Sequence, residues 1–298
     1  MPRDNDDPTV TARRLFEEAL AAYGAGGPQR ALDLLREALE VAEDGDQELR
    51  DRIFCNACSV ALELGDRSCA SSSELKRILM RTREPETAYL ASYNAARRYE
   101  LDRDLHHALF YAGIARDRAV HAERHDWLGY SYNLIANLQL ADSDFGGACL
   151  HYELALEQMS SDPGVERALI LDNLGYCRFV QGRHHEGFSL LFECLRTLRR
   201  FGAERFEARP RLSLSYGYLE AGRHDRALRH GERCLVLAEH HDDEETIKNA
   251  HFLLGEIHSQ LGEEVPARRH FDWLQRRYCP EAPHLTDLLL AVDVCNLI

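Results

Sequence analysis

The feature that most restricts what this chain can fold into is a small residue that returns about every 40 positions within the same local string. It is Ala108 in HHALFYAGIA, Ala148 in GGACLHYELA, Gly187 in HEGFSLLFEC, Ala227 in DRALRHGERC and Ala267 in VPARRHFDWL, at separations of 40, 39, 40 and 40 residues. Continuing backward gives Ala70 at 38 and Ala31 at 39, so seven units fill the chain from about Thr11 to Cys279. A fixed period of this length marks a repeat architecture, and it overrides the two domains that 298 residues alone would suggest.

Twelve positions before each marker stands another small residue: Ala19, Cys58, Ala96, Ala136, Gly175, Ser215 and Gly255. Small side chains at matched places let two helices cross closely. Between the two lie helix stops followed by polar starts, at Gly24-Ala-Gly-Gly-Pro28, Leu64-Gly-Asp66, Asp142-Ser-Asp144, Gln181-Gly-Arg183, Ala221-Gly-Arg223 and Leu261-Gly-Glu263. Each unit therefore reads as a helical hairpin. No sustained two-residue alternation occurs, so the expected fold class is all-α.

The units resemble the tetratricopeptide repeat family, whose pattern runs L-G-x2-Y, then A-x3-F, then P. Leu174-Gly175, Leu254-Gly255, Ala148 to Tyr152 and Ala267 to Phe271 carry the match. The family's early Trp is absent from every unit and its closing Pro mostly so, and the period is about 40 instead of about 34. The longer period is similar to that of repeats in bacterial peptide-sensing regulators and kinesin light chains. The resemblance covers nearly the whole chain and implies a right-handed α-solenoid of seven hairpins.

One hairpin cannot bury its apolar face alone, so stacking supplies the core and the ends need covering. The expected division is a flexible tail over 1–10, a repeat domain over 11–283 and a capping helix over 284–298. The cap is HLTDLLLAVDVCNLI, which follows the break at Pro280 and Pro283. Its greasy end could alternatively cover another subunit or belong to a longer protein. In the second unit, Cys69-Ala-Ser-Ser-Ser73 interrupts the second helix.

In the resembled family the first helix of each hairpin lines a concave surface whose exposed positions grip extended peptides. Helical period puts the residues two before and one after each crossing position on that surface. Asn94, Arg97, Asn137, Asn173, Tyr176 and Tyr216 occupy such positions, with Tyr93, Tyr130, Asn133 and Asp172 nearby on the same helices. A carboxamide both donates and accepts, so a row of them can pair with successive peptide N–H and C=O groups whatever the side chains. Tyr adds flat contact area, and Arg adds carboxylate recognition. That peptide-binding relatives use asparagines in this way is implied by the resemblance. The competing reading makes Asn-Leu-Gly a repeat consensus beside a solvated groove.

Charge and composition exclude several classes. Lys and Arg total 36 against 50 Asp and Glu, a net −14, which disfavours general nucleic-acid binding. No stretch reaches the roughly 18 apolar residues a bilayer span requires, and Met1 to Val10 carries Asp4, Asp6 and Asp7 instead of a signal peptide. The expected location is the cytoplasm, and a bacterial source is expected. The nine cysteines then read as reduced thiols, not as a disulfide framework. Arg196 to Arg211 holds six arginines against Glu204 and Glu207. That run could capture an acidic or phosphorylated partner, but it also reads as arginine closing a helix before a solvated turn.

Motifs for chemistry are incomplete. Cys55-Asn-Ala-Cys58 has redox or half-zinc spacing, but it lacks a second pair and lies inside a helix, where the cysteines read as packing residues. His240-His-Asp-Asp-Glu-Glu245 reads as a helix end, an Asp cap and an acidic first turn. His251 and His258 stand two turns apart on one helix, and His151, His230 and His270 recur three residues after markers. The glycines at 24–27 lack a phosphate loop's Lys-Ser/Thr, and Gly129-Tyr-Ser-Tyr-Asn133 lacks the second glycine of a nucleophile elbow. The expectation is a non-enzymatic scaffold with no cofactor, metal or catalytic residues, which binds a protein or peptide and neither nucleic acid nor membrane. The alternatives are a peptide-sensing bacterial regulator of the same repeat type without its own DNA-binding domain, and a metal or thiol-redox protein built on Cys55, Cys58 and the histidines.

Overall fold

A computed structural model describes residues 7–42, 46–66, 71–159 and 164–292. Every regular element among them is helical, and they fall into two compact units, 1–144 and 145–298. The first unit contains α1 (Pro8–Gly24), α2 (Pro28–Val41), α3 (Gln47–Glu63), α4 (Ser72–Arg81), α5 (Pro85–Leu101), α6 (Leu105–His121) and α7 (His125–Ala141). The second contains α8 (Phe145–Gln158), α9 (Val165–Val180), α10 (His184–Arg200), a 3-10 turn at Glu204–Phe206, α11 (Ala208–Glu220), α12 (His224–His240), α13 (Glu244–Gln260), α14 (Glu264–Tyr278) and α15 (Leu285–Ala291).

Helices α1/α2 and α5/α6 pair within the first unit, as α9/α10, α11/α12 and α13/α14 do within the second, whereas α4 packs mainly against α5 rather than against α3, its expected hairpin partner. The expected fourth hairpin corresponds to α7 and α8, one in each unit. Helix α1 begins at Pro8, inside the tail expected over 1–10, because Asp7 accepts from the Thr9 amide and Pro8 needs no amide partner at the first helical position. The second repeat's marker, Ala70, lies outside the described residues, and α4 spans only Ser72–Arg81.

The turns show why period survives where sequence does not. The N–H of residue 183 donates to Arg178 O at 2.8 Å after Gly182, whose φ is +71°, a left-handed C-terminal cap. The same bond joins Asp104 to Tyr99 O, Arg124 to Ala119 O and Asp144 to Gln139 O, at 3.0, 3.1 and 2.8 Å. There the left-handed residues are Arg103, Glu123 and Ser143. Those at 103 and 123 carry no glycine signal, so those two caps are invisible to a reading based on turn residues.

Packing rests on the small residues. In α6, Ala108, Ala112, Ala115 and Ala119 are all 0% exposed and form a flat stripe. In the second unit Phe179 fills the space over two glycines. A methyl at Gly187 or Gly217 would stand 2.5 or 2.4 Å from its ring. Helix α15 covers the last hairpin: Leu289 and Leu290 pack against the cluster of Ala267, Phe271 and Leu274. Thr286 donates to Asp272 at 2.8 Å. The remainder of the expected cap, 293–298, lies outside the described residues.

Candidate peptide-binding surface

In the first unit the surface is built from α3, α5 and α7. Tyr93, Arg97, Tyr130, Asn133 and Asn137 are half-buried, at the rim of the packing. Asn94 is not there. It is 0% exposed, and its Nδ2 donates to Cys55 O at 2.8 Å and to Ser59 Oγ at 2.9 Å, so it ties α5 to α3. The phase assigned to it is rotated into the contact with the preceding first helix. Arg97 Nη2 reaches Leu62 O at 3.5 Å, and Glu100 beside it is held above the usual carboxylate range by burial, with Arg97 opposing. Tyr93 stacks on Tyr89 at 5.7 Å, and Tyr89 stacks on Trp127 at 4.6 Å, so Tyr93 ends an aromatic stack. On α7 the Oδ1 of Asn133 is a buried acceptor with no hydrogen-bond partner among the described residues.

In the second unit α9 and α11 lie side by side. Asp172, expected on the exposed face, is 2% exposed and accepts from Ser213 Oγ at 2.8 Å. Burial raises its carboxyl, while Arg209 and the Ser213 hydroxyl act the other way. Asp172 is thus a strut between first helices, like Asn94. Asn173 accepts from Arg209 Nη2 at 3.2 Å, and the rings of Tyr176 and Tyr216 meet at 5.5 Å. Burial raises the Tyr176 hydroxyl. Asn173, Tyr176 and Tyr216, with the exposed Arg209, therefore form a continuous polar and aromatic strip. Arg209 was hidden in the arginine run and had no separate sequence signal.

That run is partly neutralised. Glu207, 5% exposed, receives Arg199 Nε at 2.8 Å and Arg211 Nη2 at 2.6 Å, which together hold its carboxyl below the usual range against burial. Cys55, Cys58, Cys194 and Cys234 are all 0% exposed, as small residues in helix contacts. Burial pushes the Cys55 and Cys194 thiols up, and that of Cys234 to about 12. The capping role read for Asp243 is present: it accepts from the Thr246 amide at 3.1 Å. The two helices of the last hairpin are joined by His251 Nδ1 and His270 Nδ1 at 2.9 Å, with His251 stacked on Trp273 at 3.9 Å and His258 on His270 at 5.8 Å. Among the described residues no helix is long and apolar enough to cross a membrane, and no group of three or more His, Cys, Asp or Glu could hold a metal ion.

No protein-family model matches the sequence, and no curated protein does. Solved structures do. A Rap protein complexed with Competence and Sporulation Factor aligns with a TM-score of 0.75 at 14% identity, over 96% of this chain and 79% of that one. NprR in complex with its cognate peptide NprX aligns with a TM-score of 0.72 at 16% identity, over 96% and 83%. A tetratricopeptide repeat protein from Parabacteroides merdae aligns with a TM-score of 0.56 at 16% identity, over 95% and 99%. With its helical hairpins repeating every 38 to 40 residues, this chain has the all-α solenoid fold of the tetratricopeptide repeat proteins.

Proposed function

We propose that the protein is a non-enzymatic, cytoplasmic scaffold that binds a peptide or an extended partner segment along the faces of its first helices. The observation that carries this reading is the carboxamide oxygen of Asn133, a buried acceptor between Tyr130 and Asn137 that finds no hydrogen-bond donor among the described residues. Leaving such an atom unpaired costs about 1–3 kcal/mol, and turning the half-buried carboxamide outward onto a peptide N–H would remove that cost. The strip of Asn173, Arg209, Tyr176 and Tyr216 supplies the same chemistry in the second unit. Two solved proteins of this fold were crystallised with peptides, Rap with Competence and Sporulation Factor and NprR with NprX. The seven described cysteines are free thiols, consistent with a reducing compartment.

The test is selection of peptides from a random display library on the full chain, followed by anisotropy titration of the enriched sequences. Asn133→Ala and Tyr176→Ala/Tyr216→Ala should each weaken them about tenfold while leaving the fold intact. Enrichment no better than on an unrelated helical protein, or equal affinity for the variants, would overturn the reading. A peptide-sensing regulator is the second reading, favoured by the same two peptide complexes. It requires the bound peptide to change hydrogen exchange in helices that do not touch it.

A further inference from the structure

A second feature lies on the other side of α11. At about 100° per residue, Arg211 and Tyr218 project from the face opposite Ser213 and Tyr216. Facing them, α12 carries Arg226, Arg229 and Arg233, spaced three and four residues apart on one stripe. Arg229 donates to its own helix at Asp225 O, 3.3 Å away, and Arg226 lies 5.6 Å over the Tyr218 ring. No carboxylate pairs with any of the three among the described residues, although Asp225 and Glu232 lie on the same helix. Like charges at these intervals repel, so the stripe is electrostatically unfavourable by itself.

The arginines line a cavity of about 450 Å³, completed by Arg211, Tyr218 and His230, with no carboxylate in its wall. A second cavity of about 610 Å³ shares Arg211 and Arg233 and extends past Arg205 to His240 and His241. Its wall includes Glu204 and Glu207, but the Glu207 charge is taken up by Arg199 and Arg211. Inside the smaller cavity the His230 ring stacks on Tyr218 at 5.4 Å, and its Nδ1 is buried without a hydrogen-bond partner among the described residues. In a chain of net charge −14, this is a local excess of cations around a concavity.

We propose that this cleft between α11 and α12 is a second binding surface, separate from the peptide-binding strip, that takes an acidic segment of a partner protein. Arginine's planar fork matches carboxylates two bonds at a time. Neighbouring arginines one helical turn apart have Cβ atoms about 5–6 Å from each other. That is close to the roughly 6.6 Å between alternate side chains of an extended chain. A row of separate anionic groups fits this spacing better than the clustered oxygens of one phosphate.

The probe is a fluorescein-labelled octaglutamate peptide titrated against the full chain at low salt. It should bind saturably and weaken as salt rises. Arg229→Gln/Arg233→Gln should weaken it about tenfold, the loss expected from two partly exposed charge pairs. Arg196→Gln/Arg200→Gln removes the same charge from α10 outside the cleft and should change it less than about twofold. All four arginines are exposed, so both variants should unfold as the parent does. Absence of saturable binding, or equal loss in both variants, would overturn the proposal. So would saturable binding of inorganic tripolyphosphate without binding of octaglutamate, which would assign the cleft to a phosphate ligand.

Discussion

The carboxamide of Asn94 on α5 donates to the carbonyl of Cys55 on α3, 2.8 Å away and shielded from solvent. An asparagine that helical phase assigns to ligand binding is therefore a bolt between consecutive first helices. Asn94→Ala should lower unfolding free energy by about 1–3 kcal/mol, because Ser59 then loses its buried partner. Urea denaturation of the parent and variant measures this, and peptide affinity should change only in proportion to the folded fraction.

Asp51 on α3 is 3% exposed and receives two bonds from Arg81 at the end of α4, at 2.8 and 2.5 Å. Arg81→Met leaves the buried carboxylate with the Gln47 amide, 2.7 Å away, and, because Arg81 is itself partly exposed, should cost about 1–3 kcal/mol. Adding Asp51→Leu should restore much of the loss. A double-mutant cycle by chemical denaturation would show coupling well above that of an exposed pair such as Arg14 and Glu18.

Burial lowers His251 and His270 to about 4 from the ordinary 6.5, with His251 and His258 adding to the effect at His270. The folded chain keeps both rings neutral, whereas the unfolded chain takes up protons below pH 6.5. Stability is therefore full above about pH 7 and is lost as pH falls from 6.5 toward 4. The loss should be about 1–2 kcal/mol for each histidine, given their partial contact with solvent. His251→Phe should flatten this decline in denaturation curves recorded between pH 7 and pH 4.5.

Gly255 and Gly113 both sit inside helices but have opposite surroundings. A methyl at Gly255 would meet the Phe271 ring at 2.4 Å, whereas one at Gly113 meets nothing within 4 Å. Gly255→Ala should destabilise by about 1–3 kcal/mol, and Gly113→Ala should stabilise by about 0.5–1 kcal/mol. Thermal melts of the two variants should move in opposite directions.

Glu123 holds φ +52° in the turn after α6, a conformation that costs an L-residue about 1 kcal/mol and glycine little. Glu123→Gly should therefore raise stability slightly, the reverse of the usual effect of introducing glycine. Urea midpoints decide the sign.

The amino-acid sequence by itself determined the helical hairpin and its period. Ala31, Ala108, Ala148, Gly187, Ala227 and Ala267 mark helices that must cross closely, and all six are buried. Period is legible because a side chain's face on its own helix depends only on local geometry. Tertiary structure alone decided which of those faces stay open. Asn94 and Asp172 are closed by Ser59 and Ser213, 35 and 41 residues away, whereas Asn133 keeps an unpaired acceptor. Exposure there is set by the neighbouring repeat's side chains, whereas the arginines that make Arg211 part of a cleft come from the other helix of its own hairpin.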